Sequence, residues 1–176
     1  MCGGESKPAA CFFALTNLIE SCTIQTMRTF QILAMMQGPS GGGKSTVANN
    51  HLKPLLEALG HTVRICSTDD QFKVDGVYKF DPSKLGTYHA INVKLAVEAL
   101  ERGESVIVDN TNLQRWEAKP YVEAALRLDI PVSFHRCAGR FENVHGVPDF
   151  KVEQMRGKME ELTVESVMAS KSPFSK

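Results

Sequence analysis

The chain has 176 residues, 43% of them hydrophobic, and its 20 basic residues balance 20 acidic ones. That is about one globular domain with enough apolar side chains for a full core, which excludes a disordered or low-complexity protein. The balanced charge excludes a wide electrostatic footprint on duplex DNA and leaves room for a narrow groove holding a few nucleotides. Five cysteines, Cys2, Cys11, Cys22, Cys66 and Cys137, are scattered with no C-x-x-C pair, so they read as reduced thiols and not as a metal or redox site. Reduced thiols point to the cytoplasm.

Residues 1–26 differ from the rest. Their apolar stretch from Ala9 to Ile19 is interrupted by Thr16 and Asn17 and is too short to span a bilayer. With Met27 standing just before the first strand, the segment reads as a disordered extension or a start-site artefact. Residues 27–170 form the expected domain, and the Lys/Ser-rich residues 171–176 a frayed tail.

An apolar run, Ile32-Leu33-Ala34-Met35-Met36, reads as a short buried strand. It leads into Gly38-Pro39-Ser40-Gly41-Gly42-Gly43-Lys44-Ser45-Thr46, which satisfies G-x-x-x-x-G-K-[ST] between a strand and a helix. Glycines at these positions let backbone N–H groups close around phosphate oxygens, and the helix that follows adds its positive N-terminal end. Lys44 is expected at the β/γ-phosphates of ATP, and the Ser45 hydroxyl on Mg²⁺.

The first helix is expected over Ser45 to Leu59, kinked or broken by Pro54. Thr62 to Cys66 reads as the second strand and ends in Ser67-Thr68-Asp69-Asp70. A looser polar segment runs from Gln71 to Gly86, with Asp75-Gly76 and Asp81-Pro82-Ser83 as turn signals. Thr87 to Arg102 carries a helical apolar face and stops at Gly103. Ser105 to Val108 is the third strand, closing on Asp109-Asn110-Thr111-Asn112. A helix that Pro120 divides is expected over Leu113 to Leu128, then a strand over Pro131 to His135. Arg136 to Val147 is irregular, and a last helix is expected from Asp149 to about Met168. Alternating strands and helices predict an α/β fold of three layers, a parallel sheet with helices on both faces.

In such a sheet ligands bind beyond the carboxyl ends of the strands. Three polar clusters fall there: the phosphate loop, the Asp69-Asp70 turn and the Asp109–Asn112 turn. A carboxylate of the Asp69-Asp70 pair is placed to accept the proton of an acceptor hydroxyl as it attacks the γ-phosphate. Asp109, ending an apolar strand, is placed to bind Mg²⁺ directly or through water, or to fix the phosphate loop. His89 and Asn92, three residues apart, share one helix face toward the acceptor side. Arg136 and Arg140, with Arg115 and Arg156 behind them, are the arginines available to stabilise the transferred phosphoryl group.

With these residues together, the chain resembles the 5′-hydroxyl polynucleotide kinase branch of the P-loop kinases. That branch includes phage polynucleotide kinase and the kinase domains of NEDD4-binding-protein-2-like proteins. The resemblance runs from Ile32 to Met168. It rests on Gly38–Thr46, Ser67–Phe72, Tyr78–Gly86, His89–Asn92, Ile107–Leu113, Trp116–Tyr121 and Asn143–Pro148. It implies that Asp69 is the general base, and that Asn110, Thr111 and Asn112 help to form the acceptor or metal site.

The sequence departs from the branch in two places. Similar kinases carry a longer lid with adjacent arginines before the Asn-x-His-Gly element, where Phe141-Glu142 stand here. Gln71 replaces an aromatic residue often found after the Asp pair.

The implied activity is transfer of the γ-phosphate of ATP to a hydroxyl on a nucleic acid or nucleotide, a 5′-hydroxyl end first. Alternatives are the hydroxymethyl group of a modified pyrimidine such as 5-hydroxymethyluracil in phage DNA, and a nucleoside or small-molecule alcohol. A nucleotide-dependent switch or binding module is the alternative of a different class. ATP and a nucleic-acid or nucleotide acceptor are the expected partners, with no membrane. The location is the cytoplasm, a host's if the protein is phage-encoded. Oligomeric state is left open.

Overall fold

The structure is a computed structural model that describes residues 30–142 and 146–173. The expected extension over residues 1–26 lies outside the described residues, as do Asn143–His145 and the last three positions of the tail.

Four parallel strands form the sheet: β1 (Leu33–Gln37), β2 (Val63–Cys66), β5 (Ser105–Val108) and β6 (Val132–Arg136), in the order β2-β5-β1-β6. β1 and β5 lie inside the sheet, and every one of their residues is buried. That is why they read as unbroken apolar runs and not as alternating ones. The register pairs Ala34 with Ile107 on one side and with Ser133 on the other. The central strand therefore delivers its C-terminal loop to the middle of the sheet edge.

Alternation along β1 separates two cores. Leu33 and Met35 join Val106, Val108, Ala96, Ala99, Leu100, Tyr121, Val122 and Ala125 on one face. Ala34 and Met36 join Ile107, Ala48 and Cys137 on the other, with Val47, Leu52 and Leu56 packed over them. Helices α3 (Leu85–Glu101), α4 (Arg115–Arg127) and α6 (Val164–Met168) cover the first face. The second is covered by α1 (Lys44–Val47), a π-helical turn (Ala48–Leu52) and α2 (Lys53–Ala58). This is the expected three-layer α/β fold.

Several expectations are corrected in detail. Pro54 does not break the first helix. The backbone widens to π-helix just before it and resumes as α-helix with Pro54 in its first turn, where a missing N–H costs least. Pro120 does not divide α4, which is continuous with the proline inside it. The proline lies in the second turn, and the single ladder bond forgone is the one to the Trp116 carbonyl.

The segment after Asp70 is more ordered than its polarity suggested. A 3₁₀ turn (Thr68–Phe72) runs into a small antiparallel hairpin, β3 (Lys73–Val74) and β4 (Val77–Tyr78). The hairpin turns at Asp75-Gly76, both with positive φ, 52° and 77°, the backbone that a two-residue type I′ loop requires. Phe72 anchors it, 2% exposed, with the rings of Tyr88, Phe80 and Tyr78 at 4.7, 5.1 and 6.1 Å.

The last helix is two helices, α5 (Asp149–Gly157) and α6. The chain between them is held by bonds to the loop before α4. Glu160 N donates to the Leu113 carbonyl (2.8 Å), and Arg115 N donates to Glu160 Oε2 (2.8 Å). Gln37 Nε2 donates to the Glu160 carbonyl (2.7 Å). A continuous helix would have to give up these partners.

Candidate active site

The phosphate loop leaves β1 at Gly38, whose N–H donates to the Thr111 carbonyl (2.9 Å). That bond joins it to the turn after β5. Gly41 and Gly43 lie at φ 69° and 90°, the left-handed backbone that favours glycine. Close approach fixes two more glycines. A Cβ on Gly38 would collide with the Cys137 carbonyl oxygen, and one on Gly42 would lie 2.8 Å from the same atom.

The strand-to-loop segment after β6 braces the phosphate loop from outside. Cys137 N donates to the Gln37 carbonyl (2.7 Å), Gly139 N to that of Gly42 (3.2 Å) and Phe141 N to that of Gly41 (2.9 Å). Gly42 N donates to the Pro39 carbonyl (3.0 Å), and the N–H groups of Gly41, Gly43, Lys44 and Ser45 are left for anion binding.

The cleft beyond this loop measures about 730 Å³, within the range of small-molecule sites. Ser40 to Thr46 line it with Asp69, Tyr78, His89, Asp109, Asn110 and Thr111. The three polar clusters expected at strand ends thus meet in one cavity. Pro39 lies in the loop itself, and its carbonyl accepts from Lys44 Nζ (2.9 Å). Burial lowers the Lys44 ammonium below its ordinary pKa, while the carboxylates of Asp109 and Asp69 oppose that shift. Burial pushes the Asp109 carboxyl up, against the pull of the Ser45 hydroxyl and of Lys44.

Asp109 Oδ1 is buried with no hydrogen-bond partner. An orphaned carboxylate oxygen beside the Ser45 hydroxyl has the hard-oxygen chemistry that Mg²⁺ requires. Among the described residues no three or more His, Cys, Asp or Glu side chains are grouped so that they could hold a metal ion by themselves. That suits a cation which takes most of its ligands from phosphate and water.

Asp69 sits in the 3₁₀ turn after β2 and accepts from the Tyr78 hydroxyl (3.1 Å). His89 contacts Thr68 through Nδ1 and Oγ1 (3.2 Å), and its pKa is lowered by burial. In the sequence Tyr78 stands out only as part of the Tyr78–Gly86 motif. The hairpin that brings it to Asp69 is signalled by Asp75-Gly76.

Other expected site residues lie elsewhere. Asp70 turns outward and pairs with Lys73 (2.7 Å) with more than half its side chain exposed. Asn92 is 1% exposed and donates to the Tyr121 hydroxyl (3.0 Å). Asn112 is 2% exposed and donates to the Met36 carbonyl (2.8 Å). Asn110 does line the cleft, and its Oδ1 accepts from Thr68 N (2.9 Å). Asn110 and Asn112 tie strand ends together, and Asn92 ties α3 to α4.

The arginines are also redirected. Arg136 ends β6 on the exposed surface. Arg140 pairs with Glu153 (2.7 Å), and Arg156 donates to the carbonyls of Ala138 (2.9 Å) and Gly139 (2.6 Å). Arg115 donates to the Glu161 carbonyl (3.0 Å). None of the four lines the cleft.

The AAA domain family matches residues 33–144, which spans the phosphate loop, the Asp69 turn, the Asp109–Asn112 turn and the bracing segment. The chain belongs to this family. The chain is also 35% identical over 153 residues to NEDD4-binding protein 2 of Homo sapiens, across 81% of its length. It spans 8% of the length of that relative. This agrees with the P-loop kinase branch whose motifs the sequence carries. The chain shares its fold with the structure of APE1195, at a TM-score of 0.50 and 18% identity, covering 73% of this chain and 70% of that one. The APS kinase CysC of Mycobacterium tuberculosis aligns at a TM-score of 0.49 and 17% identity over 74% of this chain and 98% of that one. Among the described residues no helix is long and apolar enough to cross a membrane.

Proposed function

We propose that the domain of residues 27–170 is an ATP-dependent kinase that phosphorylates a hydroxyl on a nucleic acid or nucleotide, a 5′-hydroxyl end being the first candidate. The observation that carries this reading is that Lys44 and Asp69 line one cleft, a phosphate cradle and a carboxylate base facing the same cavity. A nucleotide switch needs the cradle and has no use for that carboxylate. The family and the motif resemblance support the same reading.

In this mechanism the N–H groups of Gly41, Gly43, Lys44 and Ser45 and the Lys44 ammonium hold the β- and γ-phosphates. Ser45 and Asp109 would hold Mg²⁺, which screens phosphate charge when bound. Asp69 accepts the proton of the acceptor hydroxyl as its oxygen attacks the γ-phosphorus. The β–γ bridging bond breaks, and ADP leaves. Tyr78 holds the Asp69 carboxylate in place by donating to it.

The test is incubation with labelled ATP and a panel of acceptors: 5′-hydroxyl DNA and RNA oligonucleotides, hydroxymethylated duplex DNA and free nucleosides. Label on an oligonucleotide 5′ end is the expected result. Label on no acceptor, with hydrolysis only when a partner protein is added, would replace this reading by a switch.

A further inference from the structure

Four carboxylates line the cleft among the described residues: Asp69, Asp109, Glu117 and Glu142. Within the phosphate loop, Lys44 is the only charged residue to set against them. A polyanionic triphosphate would meet net negative charge there, and none of the four arginines reaches the cavity.

The missing cations are on α5. Lys151, Gln154, Met155 and Lys158 line the cleft, and their spacing of three, four and seven residues is one stripe of a helix. Lys158 directly follows the last residue of α5 as its C-terminal cap. Both lysines are exposed, and among the described residues neither side chain has an ion pair of 4.0 Å or less. Away from this stripe, Glu153 pairs with Arg140 (2.7 Å) and Arg156 (3.3 Å), and Arg156 grips the Ala138 and Gly139 carbonyls. The arginines therefore clamp α5 to the segment that braces the phosphate loop, and the lysines are left facing the ligand.

We propose that Lys151 and Lys158 are phosphate-binding residues that hold the β,γ end of the triphosphate, a task that arginines perform in similar kinases. This rests on the nucleotide-binding part of the function above and not on the identity of the acceptor. A lysine ammonium suits it because it binds phosphate as a point charge with no fixed fork geometry.

The test is calorimetric titration of the full chain with AMPPNP and with AMP, each with Mg²⁺. It compares wild type, K151Q/K158Q, K151R/K158R and the surface control K94Q. AMPPNP binding is expected to weaken by tenfold or more in K151Q/K158Q, to recover in the arginine pair, and to stay unchanged in K94Q; AMP binding is expected not to move. Unchanged AMPPNP affinity in K151Q/K158Q, or an equal loss for AMP, overturns the proposal. If the lysine-dependent loss is seen and no nucleic acid is phosphorylated, the acceptor assignment fails and this inference stands. If oligonucleotides are phosphorylated and the variant binds AMPPNP normally, the reverse holds.

Discussion

The Tyr78 hydroxyl donates to Asp69 Oδ1 across 3.1 Å, from a two-residue strand to the turn that follows β2. Burial first, then the Asp69 charge, pushes the Tyr78 phenol up to about 12, so it stays a donor throughout the working pH range. Removing a hydrogen bond to a charged group costs about 1.5–3 kcal/mol, roughly 10- to 100-fold in rate if the bond aligns the base. Tyr78→Phe is therefore expected to lower kcat by about tenfold or more while AMPPNP affinity stays at the wild-type value. Steady-state kinetics and calorimetry check the pair of outcomes, and a normal kcat would remove Tyr78 from the mechanism.

Asp69→Asn keeps the shape of the turn and the partner of Tyr78, and loses the proton acceptor. Its transfer rate is expected to fall by about 10²–10⁴-fold, the scale of acid–base catalysis. Single-turnover phosphorylation of a 5′-hydroxyl oligonucleotide measures it. A rate near wild type would refute the assigned base.

What the sequence made legible follows from the range over which each signal acts. The phosphate loop, four strands and two of the longer helices depend on local periodicity and on a fixed motif, and they lie within a residue or two of where the pattern places them. Asp69 and Asp109 were legible because strand ends in a parallel sheet share one edge. Asn92 and Asn112 misled because their polarity suggested a ligand, and only the packing shows their amides bonded to Tyr121 and to the Met36 carbonyl. Arg140 and Arg156 misled for the opposite reason, since their partners lie 13 to 18 residues away on another segment. Lys151 and Lys158 share a helical stripe that was readable, but nothing local says which face of α5 meets the cleft.

Two histidines, His89 at the cleft and the half-buried His135, give the fold an acid-sensitive component. Burial holds the pKa of His89 and of His135 below the ordinary value of 6.5. The unfolded chain takes up those protons first as pH falls, so the stability they contribute is present above about 6.5 and is lost as pH drops through the folded values. The urea midpoint is expected to decrease from pH 7.5 to pH 6. His135→Gln, remote from the cleft lining, is expected to flatten that slope. An unchanged slope in the variant would show that His135 binds protons equally in both states.

Tyr121 joins the pieces that hold Asp69 in place. Its hydroxyl accepts from Asn92 Nδ2 on α3 (3.0 Å) and from Asn110 Nδ2 after β5 (3.4 Å), while Asn110 Oδ1 receives Thr68 N (2.9 Å) beside Asp69. Tyr121→Phe leaves two buried amide donors without that acceptor and is expected to cost about 1–3 kcal/mol of stability, read from urea unfolding at pH 7.5. Burial raises the phenol to about 12, above the ordinary value of 10.0. The unfolded chain therefore loses this proton at lower pH than the folded one, and the associated stability, complete below pH 10, disappears as pH rises toward 12. Wild type is expected to lose stability over that interval more steeply than Tyr121→Phe, so the difference between them narrows as pH rises. A constant difference from pH 9 to pH 11.5 would mean that the buried hydroxyl ionises as easily in the folded protein as in the unfolded chain.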